Sequence, residues 1–172
     1  MVVNNTSAGN QGINLQILSK ASGNTMDTGS VAVLGKQGNK LTLGTAHHVI
    51  DGNPNDCIVK ATDNSGRTLW QGQTGRTVGD AKTDLAATTV ELPPEIAAKI
   101  EAEKLATAGD IKGGKQATLG TEGNFTGSRL NDKAQGIVTA GNGKTFSVDP
   151  QSGTNTGQGL SGGGVSVKSE NG

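Results

Sequence analysis

Every apolar or alternating stretch of this chain is short and closed by turn residues, a pattern that favours a fold of many short strands. Ile13-Asn14-Leu15-Gln16-Ile17-Leu18 alternates with period two, the spacing of a strand with one buried face. Gly29 to Leu34, Lys40 to Leu43, Cys57 to Ala61, Thr68 to Gln71 and Leu85 to Val90 are segments of the same kind. About six short strands are therefore expected in the first half of the chain, a number that suits one small closed β-barrel. The chain has 28 glycines, no tyrosine, two phenylalanines and one tryptophan. With so few aromatics the core must be built from Val, Ile, Leu, Ala and Thr, and the glycines suit tight turns between strands.

The pattern changes after Leu92. Pro93 and Pro94 stand where a helix can begin, because a missing N–H costs little there. Ile96, Ile100 and Leu105 supply a partial apolar stripe and Gly109 a stop, so a short helix is expected near 94–107. Beyond it, Gln116 to Leu119, Gly136 to Thr139, Thr145 to Val148 and Gly164 to Val167 read as strands again. At 172 residues the chain is one domain, or two small lobes sharing an interface. Its 15 basic and 15 acidic residues cancel, which argues against nucleic acid or an anionic membrane as main partner. No apolar run approaches transmembrane length, and Met1 to Thr6 lack the basic start and apolar stretch of a signal peptide. These features fit a cytoplasmic chain, or one exported or virion-associated by another route. The lone Cys57 permits no internal disulfide, and its apolar run Cys57-Ile58-Val59 reads as a buried small hydrophobe.

Three short motifs carry the chemistry. Thr45-Ala46-His47-His48 comes first, then Asp84-Leu85-Ala86, then Gly159-Leu160-Ser161-Gly162-Gly163-Gly164. A serine hydroxyl is a poor nucleophile at neutral pH and needs an adjacent base held in the right tautomer. Histidine, aspartate and serine are the residue types of such a triad, and their chain order separates unrelated folds that share it. Gly159 to Gly163 also fits the G-x-S-x-G elbow of α/β-hydrolases, which place the acid and then the histidine after the serine. Only eleven residues follow Ser161 and none is histidine, so that reading fails on order.

In residues and in order the chain resembles the trypsin/chymotrypsin-like serine peptidases, in a compact bacterial or viral form. T-A-x-H stands at Thr45 to His48, D-[IL]-A at Asp84 to Ala86 and G-x-S-G-G at Gly159 to Gly163, and the resemblance spans roughly Gly29 to Val167. It implies an all-β fold of two six-stranded-type antiparallel β-barrels, with residues 1–92 as one lobe, 93–109 as a linker helix and 110–172 as the second. His48 aligns with the catalytic base and His47 with its variable neighbour. Asp84 aligns with the orienting acid, with Asp80 a nearby competitor that lacks the apolar run after it. Ser161 aligns with the nucleophile, and the N–H groups of Gly159 and Ser161 with the oxyanion hole. Asn155, six before the serine, aligns with the base of the specificity pocket. A neutral residue there gives no support for a preference for Lys or Arg. Leu160 replaces the aspartate that pairs with a newly cut N-terminus in many members, so activation of that kind is not expected.

The resemblance implies hydrolysis of polypeptide substrates with no cofactor and no metal. The alternative is a catalytically inactive peptidase-like module in a larger assembly. Asp27-Thr28-Gly29-Ser30 matches the D-T-G-S of aspartic peptidases, but turn-like residues precede it, and it is read as structural. In the family a further strand pairs with the one after the nucleophile, whereas here the sequence stops at Asn171-Gly172. The second lobe is thus expected to be truncated or cleaved and its barrel incomplete, Val165 to Lys168 to lack a partner strand, and a longer native chain, a second fragment or a partner chain to supply it.

Overall fold

The computed structural model describes residues 2–4, 12–20, 26–50, 57–63, 65–102, 104–105, 116–119, 134–139, 147–150 and 165–167. The first half folds into eight strands. They are β2 (Asn14–Lys20), β3 (Met26–Ser30), β4 (Ala32–Gln37), β5 (Lys40–Ala46), β6 (Cys57–Thr62), β7 (Thr68–Gln73), β8 (Val78–Asp80) and β9 (Leu85–Glu91). β1 (Val2–Asn4) precedes them and belongs elsewhere. The eight form two antiparallel four-stranded sheets, ordered β3-β2-β6-β7 and β4-β5-β9-β8. Six strands in one closed barrel were expected; the observed sheets are open and hold eight.

Two differences have local causes. The apolar segment Gly29 to Leu34 is not one strand. It is split at Val31, where the chain leaves β3 in one sheet and enters β4 in the other. The second is β8, whose three residues are too few to show a period in the sequence.

The two sheets enclose an aliphatic core. Leu15, Ile17, Leu41, Leu43, Val59 and Ala61 are at most 1% exposed, and Cys57 lies among them. Trp70 is the one aromatic packed against this cluster among the described residues, so small branched side chains fill the interior. Each fully buried Leu or Ile removes enough apolar surface to contribute roughly 1.5–3 kcal/mol.

The inter-sheet helix is shorter than expected. α2 is a single turn, Pro94–Ala97, rather than a helix to residue 107. The N–H groups of Lys99 and Ile100 bond three residues back, to Ile96 and Ala97, so the last turn tightens and stops. The Lys36 ammonium donates to the carbonyls of Ala97 and Ile100 at 2.7 and 3.0 Å, satisfying groups that a longer helix would have used. Leu105 then belongs to β10 (Lys104–Leu105), a strand and not a helical turn.

β10 opens a third, six-stranded sheet, ordered β10-β1-β14-β11-β12-β13. Its other members are β11 (Gln116–Leu119), β12 (Ala134–Thr139), β13 (Ser147–Pro150) and β14 (Val165–Val167). The expectation that Val165 onward lacks a partner is corrected. β14 pairs antiparallel with β11 on one side and parallel with β1 on the other, Val2 standing opposite Val165 and Asn4 opposite Val167. The N-terminal strand is what occupies that edge, a pairing too distant to leave a local signal.

Candidate active site

The histidine and aspartate motifs meet because of a strand register. β5 and β9 pair over seven positions, from Lys40↔Glu91 to Thr45↔Ala86 and Ala46↔Leu85. Continued by one position, that ladder sets His47 opposite Asp84, and the His47 N–H does donate to the Asp84 carbonyl at 3.1 Å. Residues 36 apart in sequence are therefore brought together by the alternation of apolar and polar residues in two strands. A slip of one residue would turn Leu41 and Leu43 out of the core, so the burial of those side chains holds the register.

At the end of β5 the chain turns into α1 (His47–Ile50), one turn pinned by Val49 and Ile50, which are 3% and 1% exposed. Thr45 is buried and its hydroxyl donates to the Ser30 carbonyl at 2.8 Å, tying the end of β5 to the end of β3. Ser30 closes the Asp27-Thr28-Gly29-Ser30 motif, whose backbone is a paired strand, Asp27 standing opposite Ser19 and Ser30 opposite Gln16.

Asp84 ends the turn between β8 and β9, with φ of +55°, the one non-glycine positive φ among the described residues. Aspartate visits this left-handed region more readily than most residues. Asp80 shapes the same turn, its carboxylate accepting from the Lys82 N–H at 2.9 Å and the Thr83 hydroxyl at 3.1 Å. The two aspartates thus do different jobs. Asp80 accepts from its own turn, and Asp84 reaches the histidine.

The contact is two-pronged. The His48 N–H donates to Asp84 Oδ1 at 2.9 Å, and His48 Nδ1 lies 2.7 Å from Oδ2. An ionised carboxylate can only accept, so Nδ1 carries the proton, and whenever the ring is neutral its lone pair is on Nε2. The side chains are 56% and 50% exposed, and the pair faces solvent. Partial burial pushes the Asp84 carboxyl up. The His48 N–H, the His48 ring and the charges of His48 and His47 together outweigh it and hold the carboxyl below its ordinary value.

Asn155, Gly159 and Ser161 lie outside the described residues. Of the expected site, the structure brings together His48 and Asp84. Two features of it escaped sequence reasoning. One is the left-handed turn at Asp84, for which an aspartate four residues after another is a faint signal. The other is Gly79 on β8, against which His47 rests. Among the described residues no three His, Cys, Asp or Glu side chains gather in a way that could hold a metal ion.

The mostly β architecture, with its open antiparallel sheets, matches a fold of the chymotrypsin-like double-barrel kind. Among solved structures, the chain is similar to a thermostable serine protease, AL20, from an extremophilic microorganism. The TM-score is 0.61 at 15% sequence identity, over 95% of this chain and 81% of the other. No protein-family model and no curated protein matches the chain.

Proposed function

We propose that the chain is a serine endopeptidase. The observation that carries this reading is the two-pronged hydrogen bonding of His48 by Asp84, which leaves a proton acceptor at Nε2. In this reading the Ser161 hydroxyl attacks the scissile carbonyl while His48 Nε2 takes its proton. The C–N bond then breaks as His48 returns that proton to the leaving amine, and water hydrolyses the acyl-enzyme by the same relay. Asp84 fixes the tautomer and stabilises the imidazolium. The N–H groups of Gly159 and Ser161 hold the oxyanion, each such donor contributing roughly 2.7–4 kcal/mol in the transition state. Asn155 lines a neutral substrate pocket, and the substrate is a polypeptide. Residues 1–92 and 110–172 act as two lobes joined by 93–109, with the first strand reaching across to the second lobe.

The test is a fluorophosphonate probe with the labelled residue mapped by mass spectrometry. The expected result is one adduct, on Ser161, lost in Ser161→Ala and strongly slowed in His48→Ala. A chain that is folded yet takes no label would instead be an inactive peptidase-like module.

A further inference from the structure

We infer that Gly79 is a positioning residue for the His48–Asp84 pair, because it provides the seat for the His47 imidazole. Gly79 stands in the middle of β8 opposite Ala86 of β9. Its φ is not in the left-handed region, so glycine is not required there for backbone reasons. Space is the reason. A Cβ at this position would come 2.6 Å from His47 Cδ2, 3.2 Å from the Ala86 Cβ and 3.3 Å from the Leu85 carbonyl oxygen. Carbon atoms pack at about 3.5–4.0 Å, so the ring occupies the volume that any other residue would fill.

The backbone of His47 is poorly placed to yield. Its N–H is bonded to the Asp84 carbonyl. The next residue grips the Asp84 carboxylate through both its N–H and its ring. Val49 and Ile50 hold the same turn in the core from the other side. A methyl group on residue 79 therefore pushes the start of α1 away from the β8–β9 turn that presents Asp84. The adjacent histidines differ: His47 lies against β8, where only glycine leaves it room, and His48 meets the carboxylate.

The hydrolytic consequence rests on the proposed peptidase reading, while the geometric one does not. The experiment compares Gly79→Ala, His47→Ala and the double variant in the full chain. Gly79→Ala is expected to lower kcat by about tenfold to a hundredfold, the scale of a displacement of order 1 Å at a reacting group, with KM little changed. His47→Ala should stay within a few-fold of the parent, and the double variant should return to the level of His47→Ala. The downfield proton resonance of the His48 Nδ1–H, read by NMR, should be shifted or lost in Gly79→Ala and regained in the double variant. That signal needs no turnover. A parent chain that shows it and never hydrolyses would remove the peptidase reading and still decide this one. A Gly79→Ala variant with parental resonance and rate overturns the inference. So does a double variant as impaired as Gly79→Ala, or as unfolded should Gly79→Ala fail to fold.

Discussion

The sheets that carry His48 and Asp84 and the sheet that leads out of the serine motif are built on different terms. In the first region β5 and β9 pair over seven positions and β2 and β6 over six, all antiparallel. In the second, β1 joins β14 over three positions in parallel and β10 over two. Parallel pairing is slightly weaker per residue, and so few positions leave little to fix a register. The contrast teaches that the acid–base half of the candidate site is set by a long, locally encoded ladder. The strand that starts four residues after Ser161 depends on a distant segment, Val2–Asn4.

The sharpest break comes from chemistry. Ser161→Ala and His48→Ala are each expected to lower kcat by about a millionfold, and Asp84→Asn by about ten-thousandfold, following known triad losses. Melting should be little affected, because both side chains of the pair are half-exposed. Turnover of a peptide ester together with circular dichroism separates the two effects. An Asp84→Asn variant as active as the parent would show that the contact seen here is structural only.

The legibility of the chain divides along the same line. Strands β2, β5, β6 and β9 show in the sequence because alternation and burial agree there, as in Leu41 and Leu43 of β5. The T-A-x-H and D-L-A motifs are legible by their order and resemblance, and each sits at the end of one of those strands. What did not show is whatever depends on space or distance. Nothing in Val2-Val3-Asn4 names Val165 to Val167 as its partner, and nothing in Thr77-Val78-Gly79-Asp80 shows a histidine ring over the glycine. The stripe of Ile96, Ile100 and Leu105 predicts a helix past Ala97, but it carries no sign that Lys36 caps the carbonyls of Ala97 and Ile100.

Core truncation sharpens the comparison next. Leu43→Ala, at a position with no exposure, should destabilise the chain by about 2–5 kcal/mol. Denaturant melts should show the loss in the midpoint with the slope preserved. A cost below about 1 kcal/mol would mean that the β4-β5-β9-β8 sheet does not depend on that layer.

Val3→Pro should act on the other side. Val3 lies between Leu105 and Ser166 in the sheet, and proline there removes a backbone donor from an interior strand. Hydrogen exchange is expected to speed up in 104–105 and 165–167 and to stay unchanged in 40–46. A synthetic peptide of residues 1–8 added to a chain lacking them should restore the lost protection. Equal exchange at Val165 to Val167 with and without the substitution would show that β1 contributes nothing to that edge.

The smallest expected effect concerns acid. A carboxyl whose folded-state value lies below its unfolded value of about 3.9 favours the native state above that pH. The contribution is lost as pH falls through the folded value. Asp84 is such a group, since the N–H and ring of His48 and the charges of both histidines outweigh the upward push of burial. Asp63 is the other. The Ser65 hydroxyl is its main cause, desolvation opposes it, and the Arg67 and Ser65 N–H groups and the Arg67 charge add to the lowering. Both sit at the surface, where solvent and salt screen the interaction, so each accounts for a shallow slope only. Melting temperatures should therefore fall slightly less between about pH 5 and pH 2 in Asp84→Asn and in Asp63→Asn than in the parent. The double variant should add the two differences, because the groups share no partner. A parent and an Asp84→Asn variant with superimposable acid limbs would mean that the His48 contact is broken in solution. The turnover loss predicted for the same variant would then need another cause.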